Sequence, residues 1–143
     1  MHQCRVYLPI DSDVIQMLLS TNEIRIPSGY AVTEWLERAH PAEDEEGLEY
    51  LALVAARDAA VVARDGSDRP LVVAAVDVDS DDVDTAPSTS GIAAYVALLA
   101  PVGRRRVVAF HVEEPPAGSR AEPDLLWYDA TEVAEVARLT GGG

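Results

Sequence analysis

The stretch DEEGLEYLALVAARDAAVVAR, from Asp44 to Arg64, decides how the rest of the chain is read. At about 100° per residue, Leu48, Leu51, Ala52, Ala55, Ala59 and Val62 share one arc of a helix, while Tyr50, Leu53, Val54 and Val61 occupy another. A helix with a single apolar stripe lies on a surface, whereas two stripes call for cover on two sides, by a sheet and by other helices. The alanines suit close approach. Asp44, Glu45 and Glu46 meet the positive end of the helix dipole, and Gly66 is a natural residue just past the end. The expectation is a scaffold helix in the middle of the fold, with function on the strand ends and loops around it.

On its N-terminal side, QCRVYL alternates: Cys4, Val6 and Leu8 point one way and Arg5 and Tyr7 the other, as in a strand with one core face. Asp11 or Ser12 caps a helix carrying Val14, Met17 and Leu18, and Asn22 stops it. Glu23 to Val32 reads as loop with a short extended piece, and Thr33 caps a short helix through Ala39 that His40-Pro41 closes. On the C-terminal side, Leu71 to Val78 is apolar on both faces until Asp77, the mark of a central strand. Asp79 to Gly91 reads as a mobile acidic loop. Ile92 to Leu99 and Arg105 to Val112 read as two strands joined as a hairpin through Pro101 to Arg104. Glu114 to Asp124 is loop, and LLWYD (Leu125 to Asp129) runs into a final helix, with Asp129 and Glu132 spaced as a capping box. Residues 1–140 make one domain, and Gly141 to Gly143 a disordered tail.

Composition narrows the function classes. The chain has 143 residues and a formal charge of -14, and its eleven cationic side chains are all arginine. Phosphate backbones are repelled on average, so nucleic acid is not an expected partner. Cys4 is alone, which excludes an internal disulfide and a cysteine-based zinc site. The N-terminus has no basic and apolar leader pattern, and the longest apolar run, Ile92 to Val102, falls short of the roughly 18 residues a membrane span needs. No membrane association is expected, and the cytoplasm is the default location.

The phrases RVYLP (Arg5 to Pro9), GYAVT (Gly29 to Thr33), EEGLEYLAL (Glu45 to Leu53), VAFHVEE (Val108 to Glu114) and LLWYD occur in this order. In this the chain resembles a family of small uncharacterised proteins from high-GC Gram-positive bacteria, grouped as a domain of unknown function. The resemblance implies no activity, cofactor or partner. Members tend to carry a longer segment between the HV and LLWY phrases, so any site built by that segment is missing or altered here.

Four constellations carry candidate chemistry. Asp77, Asp79 and Asp81 have the first, third and fifth spacing of a calcium loop. However, Asp82 stands where that loop needs glycine and Ser88 where it needs a bidentate glutamate, and a solvated acidic loop explains them as well. His111 and Glu113 share a strand face with Val107 and Ala109. A carboxylate beside a histidine can orient it as a general base, although no nucleophile motif accompanies the pair and a hydrogen-bonded structural histidine is the plainer reading. Arg5 and Tyr7 with Trp127 and Tyr128 would line one ligand cleft for a planar or anionic group if the first and last strands are neighbours; otherwise the aromatics belong to the core. Arg104 to Arg106 is either a solvated turn or an anchor for phosphate or an acidic partner.

The architecture expected is α+β: a two-layer sandwich of a mainly antiparallel sheet of four to five strands with the helices on one face. A non-enzymatic binding or protein-interaction domain is the preferred function, for a protein or small-molecule ligand, with no cofactor and with an exposed sheet edge or a leftover apolar helix face able to close a homodimer. The alternatives are a small hydrolase or transferase using His111 and Glu113, and divalent-cation binding by the Asp-rich loop.

Overall fold

The computed structural model describes residues 2–64, 69–85 and 91–141. Seven strands form one sheet in the order β5-β6-β3-β1-β4-β8-β9. These are β1 (Gln3–Ile10), β3 (Ser28–Ala31), β4 (Val72–Asp79), β5 (Val83–Asp84), β6 (Tyr95–Leu98), β8 (Val107–Glu113) and β9 (Leu125–Asp129), and each pair of neighbours is antiparallel. A separate two-stranded ribbon joins β2 (Glu23–Ile24) to β7 (Val102–Gly103). The helices are α1 (Ser12–Thr21), α2 (Glu34–Ala39), α3 (Glu45–Arg64) and α4 (Val133–Gly141).

The chain is α+β with an antiparallel sheet, but the sheet has seven strands rather than the four to five expected, since Ser28–Ala31 and Val83–Asp84 pair into it as well, and its layering differs because helices cover both faces. Val6, Leu8 and Ile10 of β1 pack with Ile15 and Leu18 of α1 and with Val133 and Val136 of α4. Tyr7, from between them, points the other way into a second core with Leu36 of α2 and Leu48, Ala52 and Ala56 of α3. The sheet is therefore the middle layer, and α3 is an outer one. Its alanines at four-residue spacing, Ala52, Ala56 and Ala60, are the buried ones, and their small size brings the helix close to the strands beneath. Tyr50, on the second apolar arc, remains 61% exposed, so no helix lies over it.

Local signals act where expected. The Asp11 side chain accepts from the Val14 N–H at 2.9 Å, Asn22 ends α1 in the left-handed region at φ 61°, and Thr33 caps α2. Asp129 accepts from the Thr131 N–H and hydroxyl at the entrance to a 3-10 turn, not in a box closed by Glu132. The expected hairpin does not form. β6 pairs with β3 and β5, β8 pairs with β4 and β9, and β7 binds β2 between them. Asp79 to Thr85 is not loose loop: a 3-10 turn over Ser80–Asp82 leads into β5. Gly141 ends α4, whereas Gly66 and Ser88 lie outside the described residues.

Two backbone details set which side chains face which core. Gly29 of β3 lies opposite Leu8, and a Cβ there would stand 2.5 Å from Leu8 Cδ2 and 2.6 Å from Val6 Cγ1. Leu8 and Val6 fill that space. In β8 the register against β4 slips, Ala75 pairing with Ala109 but Val76 with Val107, so Val108 is the extra residue of a bulge. Ala109 then faces α3 while Val107 enters the opposite core, which separates Val107 from the face it shares with His111 on simple alternation.

Candidate functional site

The face of the sheet beneath α3 carries most of the polar chemistry. Arg5 of β1 and Asp77 of β4 are cross-strand partners, and the guanidinium grips the carboxylate twice, Nε to Oδ1 at 2.5 Å and an Nη to Oδ2 at 3.1 Å. Hydrogen bonding to Asp77 raises the Arg5 pKa further above its ordinary value. Glu37, Glu45 and Glu49 share the same crevice. Arg5 is thus already neutralised in acidic surroundings, which disfavours an anionic ligand there. Beside it, Tyr7 is buried in the core; desolvation first, and then Glu49, push its phenol up. Burial, and then Asp77, also raise the Cys4 thiol above its ordinary value.

His111 of β8 lies on this face with its ring centroid 6.3 Å from that of Tyr7. Desolvation lowers its pKa, and the nearby Arg5 charge lowers it further, so the neutral imidazole is favoured. Glu113 does not orient it. Its side chain is 1% exposed, with Oε1 taken by Arg64 Nη1 at the end of α3 and by the Leu71 N–H at 3.2 Å, and Oε2 by the Gly118 N–H at 3.0 Å. Both oxygens are committed to fastening α3 and the loop after β8 to the sheet. The two residues share a face as strand spacing requires, yet they serve different ends.

The four residues expected to share one cleft do not meet. β4 and β8 separate β1 from β9. Trp127 and Tyr128 leave β9 on opposite faces, Tyr128 packing against the α1–α4 core and Trp127 standing opposite His111 in register, 62% exposed. What assembles instead is a ledge where β8 and β9 run out from under α3. A cleft of about 180 Å³ is walled by Tyr50, Leu53, Val54 and Arg57 of α3 and floored by His111 and Leu125, with Asp124 at its mouth. Tyr50 and Arg57 were not singled out as site residues, although Tyr50, Leu53, Val54 and Arg57 follow the spacing of one helix face. The second apolar arc of the helix lines this cleft.

The remaining candidates are dispersed. Asp77 is held by Arg5, Asp79 lies 3.5 Å from an Arg106 Nη, and Asp81 is exposed on the 3-10 turn. Among the described residues no group of three or more His, Cys, Asp or Glu side chains is placed to hold a metal ion. Arg104 to Arg106 form a 3-10 turn rather than a hairpin tip, where an Arg104 Nη donates to Asn22 Oδ1 at 3.5 Å and Asp79 and Asp82 share the surrounding crevice. Among the described residues no helix is long and apolar enough to cross a membrane.

Fold and site together define an α+β fold whose antiparallel sheet is helix-covered on both faces and leaves an aromatic ledge at one edge. The chain belongs to a family of unknown function (DUF6912), whose profile matches residues 4–122. No curated protein and no solved structure matches it.

Proposed function

We propose that this domain is a non-enzymatic binding module and that the ledge between α3 and β9 is its binding face, taking apolar or aromatic side chains of a protein partner. The observation that carries this reading is Trp127, an indole left 62% exposed beside the His111 cleft, with Tyr50 flanking that cleft at 61%. Large aromatics left in water at the rim of a concave apolar site are typical of contact surfaces, because they contribute area at little entropic cost. A hydrolase or transferase using His111 and Glu113 is supported less well, since both oxygens of Glu113 are already accepting hydrogen bonds. The acidity of the chain favours protein over nucleic acid as partner.

The test is NMR mapping with a panel of small aromatic and aliphatic fragments. Shifts are expected to cluster at His111, the Trp127 indole and Tyr50, and to vanish in Trp127→Ala. Shifts concentrated elsewhere, or an unchanged response in that variant, would overturn the assignment.

A further inference from the structure

We propose that the open edge of β9 pairs antiparallel with β9 of a second copy of this chain, joining the two sheets across a two-fold axis at Trp127. This rests on the ledge being a docking face and names its partner.

The hydrogen-bond phase of the sheet comes first. The Glu113 N–H donates to the Leu71 carbonyl at 2.9 Å, and the Glu114 N–H donates to the Asp124 carbonyl at 2.8 Å. Odd-numbered residues of β8 therefore bond toward β4 and even-numbered ones toward β9. In an antiparallel ladder hydrogen-bonded pairs recur every second residue, so Leu126 and Tyr128 bond back to β8. The peptide groups of Leu125, Trp127 and Asp129 then point outward, and among the described residues β9 pairs with β8 alone.

The two edges of the sheet differ in a telling way. Strand edges are usually blunted by shortness, charge, proline or a bulge, because unpaired peptide groups invite another chain. The β5 edge follows that rule, being two residues long and ending in Asp84. β9 has five residues, and its first four, Leu125-Leu126-Trp127-Tyr128, hold no charge, no proline and no register slip against β8. Leu126 and Trp127 are both exposed.

A second copy fits this edge because the outward groups are self-complementary. A two-fold axis at Trp127 sets Leu125 opposite Asp129 of the other copy and Trp127 opposite itself, which gives about four hydrogen bonds, and about six where the Asp129 carbonyl, already the acceptor at the start of its 3-10 turn, is shared. The only charge on the strand, Asp129, then faces a leucine instead of its own copy. The two indoles meet on the ledge face, where aromatic cross-strand pairs are favourable. The contact is smaller than a standard interface, so a weak, reversible dimer is expected. With a charge of -14 on each copy, added salt strengthens it, whereas salt weakens capture of a basic peptide at the same edge.

Analytical ultracentrifugation of the full chain from low-micromolar to near-millimolar concentration tests this. The mass should rise from monomer toward dimer, more readily at high salt. Leu125→Pro removes an outward N–H in each copy while sparing the β8 ladder, and it should weaken association by at least about tenfold. If that variant fails to fold by circular dichroism, amide exchange in the natural chain answers instead. Protection at Leu125 and Trp127 should grow with concentration while Leu126 and Tyr128 stay protected throughout. A chain monomeric at near-millimolar concentration overturns the pairing, and so does a dimer with unchanged exchange at Leu125 and Trp127. Fragment binding at Trp127 by a monomeric chain would leave the ledge reading standing while the pairing falls. A β9 dimer with a ledge silent to fragments would do the reverse.

Discussion

Replacing Glu113 by alanine strands three donors at once. The Arg64 guanidinium, whose side chain is 9% exposed, loses its counter-charge, and the N–H groups of Leu71 and Gly118 lose their acceptor. Breaking a buried ion pair from one side costs roughly 3–5 kcal/mol, because a desolvated charge is left uncompensated. Each orphaned N–H adds about 1 kcal/mol, less where water reaches it, as at the part-buried Gly118. Arg64 keeps a weaker bond to the Arg69 carbonyl at 3.3 Å, which offsets little of this. We expect a loss of about 5 kcal/mol, and a fall in Tm of roughly 15 °C for a chain of this size. Glu113→Gln keeps the shape and one acceptor oxygen and should cost about half as much. Urea unfolding at neutral pH reads this directly, as a lower midpoint at unchanged slope. An alanine variant within about 1 kcal/mol of the natural chain would place this cluster with ordinary exposed ion pairs and refute the reasoning.

Two further outcomes follow from packing and burial. His111 has a folded pKa below its unfolded value, so its contribution is fully present above about pH 6.5 and is lost as pH falls through the folded pKa. A proton NMR titration should place its midpoint below the ordinary histidine value, and His111→Gln should flatten the stability slope below about pH 6.5; a midpoint above the ordinary value would contradict the burial argument. Gly29→Ala should destabilise by about 1–3 kcal/mol, since its Cβ would press on Leu8, Val6 and the Tyr7 carbonyl at 2.5, 2.6 and 3.1 Å; a neutral melting temperature would show that β3 shifts freely against β1.

Local chemistry was legible in the sequence. The caps at Asp11, Asn22 and Thr33, the alternation of β1 and the reach of α3 depend on neighbours within a few residues. Long-range pairing left no such mark. β6 and β8 read as a hairpin because they follow one another, yet their partners come from β3, β4, β5 and β9. The layering was half-written in Val72 to Val76, apolar on both faces, a pattern that asks for cover on each side and points to helices above and below. Glu113 looked like a partner for His111 because strand spacing puts both on one face. Its true partner, Arg64, is 49 positions away and carries no local sign of the contact. Trp127 was placed with Arg5 on an assumption about strand order, and the observed order leaves it on the outer edge instead.

The central pair of the sheet also governs how the chain reaches this state. β1 is the first element, yet its longest partner is β4, with Val6 opposite Val76, and its other neighbour β3 aligns at only two positions. Closing so long a loop is entropically costly before the contact rewards it, and topologies rich in such pairs fold slowly. During synthesis the apolar strand QCRVYLPI must wait, unpaired on one side, until β4 has emerged. β8 and β9 emerge later still, so the strands on that side of β4 have their partners only after β4 is made.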